Sequence, residues 1–159
     1  MEQELTADKA LSNSYTDKYS VERVISADLS TTFNDFHEYV WVKNGGIGPK
    51  SWTRIVVAGD ENYNGETRIA VLAKEKILRV EPDKEIVYSV IGGMPFSEHV
   101  GIVTFTPEGS DKTKITWNTK YTPYWGVGII LKGIIAICFW LFLYNLEKLE
   151  LEKKSQKKE

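Results

Sequence analysis

One segment restricts the fold of this chain more than any other part of the sequence. The eighteen residues from Val127 to Tyr144 are apolar, with the single exception of Lys132. Such a segment predicts a helix that is hydrophobic on every side, and a helix of this kind has to be buried. Its partner is either a sheet of the same chain or a lipid bilayer, because eighteen residues also reach the minimum length of a transmembrane helix.

We expect this helix to pack on a sheet. A charge well inside a transmembrane segment costs about 2.5–3.5 kcal/mol on insertion scales, and Lys132 lies inside this segment. Trp125, Trp140 and Tyr144 would suit the interfaces of a bilayer, but moving the helix into a membrane would leave the apolar face of the sheet uncovered. The sequence therefore predicts a long C-terminal helix that begins near Gly126. Its outer face is free to meet a second subunit or a membrane surface.

The sheet itself is predicted from the middle of the chain, where β-rich runs alternate with turn residues. In the last run Ile115, Trp117, Thr119 and Tyr121 share one face, the period of two that is typical of a strand with one buried and one wet face. A similar run from Tyr19 to Ala27 adds a first strand. The other six predicted strands are Trp52–Ala58, Thr67–Leu72, Glu75–Val80, Ile86–Ile91, His99–Thr106 and Lys114–Tyr121. We therefore expect a meandering antiparallel sheet of seven strands, covered on one side only.

A short helical region is predicted between the first two strands. Asp28 to Ser30 supply N-cap side chains, and Phe33, Phe36 and Val40 recur at steps of three and four residues. The region ends by Asn44-Gly45-Gly46, because glycines permit backbone angles that a helix does not use. Before the first strand we expect a flexible N-terminal tail over residues 1–18, which lacks the basic start and the apolar run of a signal peptide.

The composition excludes several classes of protein. A chain of 159 residues has the length of one domain. Its single cysteine, Cys138, closes no internal disulfide bond, and with only His37 and His99 it completes no Cys/His zinc site. The balance of 20 basic and 22 acidic residues provides no general positive field for nucleic acid. The sequence contains no phosphate-binding loop, nucleophile elbow or His-Glu-x-x-His motif, so we expect no metal and no cofactor.

The remaining reactive side chains have plain structural interpretations. Cys138 lies in the apolar run, where a buried thiol keeps a high pKa and stays inert. Asp35, His37 and Glu38 are close in the sequence, but adjacent positions of a helix point to different faces. We therefore expect a solvated helix face there and no metal site. His99 is the one candidate general acid or base, because histidine titrates near neutral pH.

Five segments are similar to the motifs of one superfamily and occur in the same order. They are Ile25–Asp28, Gly65–Arg68, Lys76–Gly93, Phe105–Gly109 and Thr113–Trp117. Together with the order of the predicted elements they resemble the helix-grip fold of the polyketide cyclase/dehydrase and lipid-transport superfamily, also called SRPBCC or START-like. The resemblance implies an α+β fold, a curved seven-stranded antiparallel sheet around the long C-terminal helix with two short helices after the first strand. It implies a START-like ligand-binding domain over residues 19–151, followed by a charged C-terminal tail over residues 152–159.

The same resemblance implies a deep apolar cavity between the sheet and the last helix that binds a lipid, a sterol, a polyketide or a similar molecule. The predicted ligand-binding residues are Trp52, Arg68, Tyr88, His99, Trp117 and Tyr121. Aromatic rings offer broad apolar area, and the planar fork of Arg68 suits a ligand carboxylate or phosphate unless it is exposed or salt-bridged. We assign no catalytic residue. The expected function is the binding or transport of a hydrophobic small molecule.

Two other functions stay open at this point. One is an enzyme, a cyclase, dehydratase or hydrolase acting on such a ligand, with His99 as the base and Arg68 or Tyr121 as the oxyanion partner. The other is an interaction domain anchored to a membrane.

We expect a cytoplasmic protein that associates with a membrane surface, or forms a homodimer, through its last helix. The apolar outer face of that helix would supply the attraction, helped by the lysines that follow it. These are Lys148, Lys153, Lys154, Lys157 and Lys158, whose charge is offset in part by Glu147, Glu150, Glu152 and Glu159.

Overall fold

Seven strands form one antiparallel sheet, as predicted, in the computed structural model, which describes residues 5–157. The strands are β1 (Asp17–Ile25), β2 (Thr53–Val57), β3 (Thr67–Ala70), β4 (Ala73–Glu81), β5 (Glu85–Gly92), β6 (Phe96–Pro107) and β7 (Thr113–Pro123). Their order across the sheet is β1-β7-β6-β5-β4-β3-β2, so β2 to β7 follow one another as a meander while β1 pairs with β7.

Within residues 5–157 the chain also contains three α-helices, one π-helical turn and two 3-10 turns. The α-helices are α1 (Ala7–Ser12), α2 (Leu29–Asp35) and α3 (Gly128–Gln156). A π-helical turn follows α2 at Phe36–Val42, and 3-10 turns follow it at Asn44–Gly46 and Lys50–Trp52. A curved sheet around a long C-terminal helix, with short helices after the first strand, confirms the predicted helix-grip fold.

The alternation predicted for the last strand decides which face of the sheet is covered. Ile115, Trp117, Thr119 and Tyr121 on β7 are all buried, on what we call the inner face of the sheet. Side chains at the intervening positions point to the opposite, outer face. The core of the protein lies between the inner face and α3.

Helix α3 is attached to the inner face by aromatic stacking. The ring of Trp117 stacks on Phe139 with centroids 3.9 Å apart, and Phe142 lies 6.1 Å away in a nearly parallel plane. The helix begins at Gly128, two residues after the predicted start, because Gly126 has a φ of 85° and belongs to the preceding turn. By length and composition α3 is also able to cross a membrane. In this fold one side of it lies in the core, as the packing prediction requires.

Helix α2 and the π-helical turn close one end of the inner face. Asp28 caps α2 by accepting a hydrogen bond from the backbone N–H of Thr31 at 3.0 Å. Phe33 and Phe36 both meet the ring of Phe105 edge-on, at centroid distances of 5.2 and 5.5 Å. The spacing read from the sequence therefore marks the buried side of this region.

Residues predicted to form a loose tail are part of the fold. Thr6 caps α1, and Ala7 and Ala10 of this helix are buried against Val87 and Val100 on the outer face of the sheet. A six-residue helix that buries two small side chains leaves almost no periodic pattern in a sequence. The outer face is therefore covered in part, and the prediction of a sheet covered on one side only was wrong.

Both predicted tails also contribute residues to regular structure. Strand β1 begins at Asp17, and α3 continues through Gln156, beyond the predicted domain end at Leu151. Residues 1–4 of the predicted N-terminal tail and residues 158–159 of the predicted C-terminal tail lie outside the described residues.

Replacing Phe139 by alanine should lower the free energy of unfolding by about 3–5 kcal/mol, because the ring is buried against Trp117 and its loss leaves a cavity in the core. Ile137→Ala is the matched control on the same helix, since Ile137 is 63% exposed, and it should change stability by about 0.5 kcal/mol or less. Urea denaturation followed by circular dichroism measures both. Equal, small effects of the two substitutions would contradict the packing of α3 on the sheet.

Candidate functional site

A cavity of 420 Å³ lies between the inner face of the sheet and the middle of α3. Strands β3 to β6 form one wall, α3 forms another, and the two 3-10 turns contribute the rest. Most of the wall is apolar. The apolar lining deeper in the cavity comes from Ala70, Val90, Met94, Phe96, Ile135, Cys138, Phe139 and Phe142, and the exposed side chains at its rim are Trp52, Val71, Leu72 and Ile134.

Four of the six predicted ligand-binding residues line this cavity and two do not. Trp52 lies at the rim, and Arg68, Tyr88 and His99 contribute polar groups to the wall. Trp117 and Tyr121 are packed in the core beside the cavity. The hydroxyl of Tyr121 is buried without a hydrogen-bond partner within residues 5–157. These two side chains of β7 therefore contribute to the packing of the core.

Tyr88 reaches its place in the wall because of a glycine on the neighbouring strand. It pairs with Gly101, and a Cβ at that position would lie 2.1 Å from the Tyr88 ring, so only glycine lets the ring lie across β6. The hydroxyl oxygen accepts a hydrogen bond from Trp117 Nε1 at 3.0 Å. Burial raises the pKa of Tyr88 far above its ordinary range, so the hydroxyl stays protonated and keeps its own hydrogen to donate.

Arg68 and Glu75 face each other across the β3–β4 hairpin. They are register partners, and Arg68 Nε donates to Glu75 Oε2 at 2.5 Å. Arg68 Nη1 also donates to the backbone carbonyls of Val40, at 3.0 Å, and of Trp41, whose ring lies under the guanidinium with its centroid 4.1 Å from Cζ. The salt-bridged alternative for Arg68 is the one present. Its charge is neutralised inside the protein and it ties the hairpin to the π-helical turn.

His99 fills a gap in the sheet between β5 and β6. The two strands pair only as far as Tyr88 and Gly101 and then separate. In the gap, His99 Nδ1 accepts a hydrogen bond from the backbone N–H of Val90 at 3.1 Å, which assigns the proton to Nε2, and Nε2 lies 2.8 Å from Thr119 Oγ1. The imidazole therefore takes the place of a carbonyl in the strand ladder.

This arrangement leaves His99 without a free nitrogen. Burial lowers the pKa of His99 to about 3, so the ring is neutral near pH 7, and its one lone pair is engaged by Val90. A general base needs an unengaged lone pair within reach of the substrate. The geometry of the folded protein thus supports a structural histidine at this position.

Sequence reasoning missed Glu75, although a signal for it exists. A hairpin that turns at Val71 and Leu72 pairs residue 68 with residue 75, and Glu75 is the only acid between the paired ends Thr67 and Lys76. The prediction for His37 was wrong, because this side chain is buried and not solvated. Its Nε2 lies 2.8 Å from Glu66 Oε1, and its ring stacks on Tyr63 at 3.6 Å, away from the cavity.

No metal-binding cluster complicates the site. Among residues 5–157, no group of three or more His, Cys, Asp or Glu side chains is arranged to hold a metal ion. The thiol of Cys138 faces the cavity, and burial raises its pKa. The cavity therefore offers apolar contacts and a few neutral or neutralised polar groups.

The buried state of His99 makes stability depend on pH. Between about pH 3 and pH 6.5 the unfolded chain binds a proton at His99 that the folded protein does not bind, so stability falls as the pH decreases. Wild-type protein should lose about 1 kcal/mol more unfolding free energy than His99→Asn between about pH 7 and pH 5.5. Denaturant titrations at both pH values measure this difference. Equal losses would show that His99 is not buried as a neutral ring.

Comparisons with known proteins agree with this architecture. The sequence matches no protein-family model and no curated protein. Among solved structures, a protein from Nitrosospira multiformis is similar with a TM-score of 0.69 and 16% identity, over 84% of this chain and 96% of that one. A START superfamily protein from Mycobacterium smegmatis is similar with a TM-score of 0.63 and 12% identity, over 85% and 97%.

An enzyme has the same architecture. Norcoclaurine synthase from Thalictrum flavum, solved in complex with dopamine and hydroxybenzaldehyde, is similar with a TM-score of 0.66 and 16% identity, over 86% of this chain and 87% of that one. Likeness at such low identity establishes fold and not activity. The chain has the SRPBCC/START-like, helix-grip fold.

Proposed function

We propose that this protein binds or carries a hydrophobic small molecule, of lipid, sterol or polyketide type, in the cavity between the sheet and α3. The observation that carries the proposal is the cavity of 420 Å³ with a mostly apolar wall. Cavities of roughly 300–1,000 Å³ with apolar walls and a few polar groups are typical of small-molecule sites. The complex of norcoclaurine synthase with dopamine and hydroxybenzaldehyde supports the use of this fold for binding small molecules.

The polar groups of the wall favour a neutral ligand. Arg68 and Glu75 neutralise each other, and the hydroxyl of Tyr88 is a neutral donor. A ligand carboxylate would lose its hydration in the cavity without meeting an uncompensated positive charge, which is unfavourable. A hydroxyl or carbonyl group would find the Tyr88 donor at no such cost. The ligand class that fits is therefore an apolar body with one uncharged polar group.

Binding is favoured over catalysis by the state of His99. The enzyme alternative requires this residue as a base, and its only lone pair accepts a hydrogen bond from the backbone of Val90. Tyr121, named as an oxyanion partner, lies outside the cavity lining. We also retain the expectation of a cytoplasmic protein that works in contact with a membrane surface or as a homodimer.

Cys138 provides a direct readout of occupancy, because it is the only thiol in the chain and lies in the cavity wall. Adding dodecan-1-ol should slow the reaction of Cys138 with N-ethylmaleimide by about fivefold or more, because the bound alcohol would cover the thiol. Mass spectrometry measures the reaction at about pH 8.5, since burial raises the pKa of the thiol and a higher pH is needed to form the reactive thiolate. Protein unfolded in urea is the control, where the alcohol should have no effect.

Ala70→Phe should fill the cavity and remove the protection. Ala136→Phe, on the outer side of α3, should keep it. Protection that persists in Ala70→Phe, or its absence from wild-type protein, would contradict ligand binding in this cavity.

The neutral-ligand argument has its own test. Displacement of the fluorescent probe N-phenyl-1-naphthylamine should show dodecan-1-ol binding to wild-type protein about tenfold or more tightly than ionised dodecanoate. Tyr88→Phe should weaken dodecan-1-ol by about three- to tenfold, the value of one hydrogen bond, and leave the binding of dodecane unchanged. Dodecanoate binding as tightly as the alcohol would instead identify Arg68 as an anion receptor.

A further inference from the structure

One side of α3 is apolar and exposed in the folded protein. The residues of this α3 stripe are Ile129, Ile130, Ile134, Ile137, Trp140 and Tyr144, all of which are at least 42% exposed. At 100° per residue they fall within less than half of the helix circumference, and at 1.5 Å per residue they extend over about 22 Å. Trp125, fully exposed in the turn before the helix, continues the stripe. Exposed apolar surface of this extent marks an interaction site.

The α3 stripe is continuous with the rim of the cavity. Ile134 belongs to both, because it is exposed on the helix and lines the cavity. Across the opening, Leu72 at the β3–β4 turn is 73% exposed, and Val71 and Trp52 are exposed beside it. An apolar partner lying on the stripe would therefore also cover the opening of the cavity.

The charges around this surface are all of one sign. The rim and the stripe are formed by residues 44–57, 70–74, 91–95 and 124–144, and these segments contain four basic residues and no acidic one. The four are Lys50, Arg54, Lys74 and Lys132. Lys50 lies two residues before Trp52 at the rim, and Lys132 lies on α3 between Ile130 and Ile134. Arg54 and Lys74 both pair with Ile69 and alternate with cavity-side residues, so their side chains lie on the outer face of the sheet. All four are exposed, and none of them forms an ion pair with a residue between 5 and 157. The remainder of the chain is acidic, since the whole carries a net charge of −2.

We infer that the α3 stripe and the cavity rim dock together on the surface of a membrane that contains anionic lipid, with the opening of the cavity facing the bilayer. Apolar side chains flanked by the unpaired cations Lys50 and Lys132 match the two layers of such a surface, the acyl chains and the negative headgroups. Trp52, Trp125 and Trp140 are of the residue type that lies at the headgroup level. Passage of a hydrophobic molecule between bilayer and cavity rests on the proposed function, whereas docking itself does not.

A second copy of the chain fits this surface less well. A two-fold dimer places the same patch on both partners, so Lys50 and Lys132 of one copy would meet the same positive surface on the other. A transmembrane span also fits poorly, because the inner side of α3 is stacked on Trp117 in the core. The lysines after the apolar run, predicted to assist membrane binding, contribute less than Lys50 and Lys132. Lys153 is paired with Asp35 and Glu150, near the other end of the helix.

Co-sedimentation with vesicles tests the inference. Wild-type protein should bind phosphatidylcholine vesicles that contain phosphatidylglycerol, bind pure phosphatidylcholine weakly, and be released by salt. The double variant Lys50→Glu/Lys132→Glu should bind the anionic vesicles about tenfold or more weakly. Lys18→Glu/Lys120→Glu is the matched control, with the same change of charge on two exposed cross-strand neighbours of the outer face, and it should bind within about twofold of wild type.

Three outcomes would overturn the inference. Equal weakening by both double variants would mean that binding follows net charge and not this surface. Release by detergent alone would make α3 a transmembrane anchor. A dimer in analytical ultracentrifugation that binds no vesicles would assign the α3 stripe to a second copy. Ala70→Phe separates docking from ligand binding, because it should lose protection of Cys138 while keeping vesicle binding. Wild-type protein that docks but binds no ligand would contradict the proposed function and leave docking intact.

Discussion

The stacking of Trp117 on Phe139 is the contact on which the rest of the structure depends. It holds the middle of α3 against β7, where the two rings and Phe142 fill the space between helix and sheet. Farther along the sheet, towards β3 and β4, the cavity lies between helix and sheet. The packed end supplies the stability of the fold, and the unpacked end supplies room for a ligand. One aromatic contact thus separates the two roles of the interior.

The buried polar groups are arranged so that the cavity carries no net charge. Arg68 donates hydrogen bonds to the carboxylate of Glu75, which neutralises its charge, and to two backbone carbonyls of the π-helical turn. His99 accepts a hydrogen bond from the backbone N–H of Val90 with its one lone pair, and its ring is neutral because burial lowers its pKa. A buried polar group without a partner is unfavourable, and satisfying these groups within the protein leaves little chemistry for a substrate. The same hydrogen bonds that stabilise the fold therefore favour binding of an uncharged molecule over catalysis.

The two sides of α3 have different partners. The inner side is covered by the sheet, but the outer side is as apolar as the inner one, which explains why the sequence of this helix lacks the polar stripe of an ordinary surface helix. The outer side adjoins the opening of the cavity and the unpaired cations Lys50 and Lys132, and the proposed docking on a lipid surface would account for its hydrophobicity. In the proposed arrangement, a single helix closes the core, lines the cavity and faces a lipid surface.

Local pattern in the sequence determined the strands, the long helix and the buried face of β7. The period of two at Ile115, Trp117, Thr119 and Tyr121 can point the large side chains to one face only, whatever the rest of the chain does. The resemblance of motif order extended this to the helix-grip topology. These features depend on neighbours within a few residues, which is why they were predictable.

Tertiary structure decided the site. The position of α3 along the sheet decides which of the six predicted residues line the cavity. Trp117 and Tyr121 lie where the core is packed and not in the cavity lining. The gap that His99 fills opens because β5 and β6 stop pairing after Tyr88, and no local pattern records the end of a pairing between strands. The burial of α1 likewise depends on a partner far away in the chain. Periodicity specifies which way a side chain points, and only the packing of distant segments specifies what it meets.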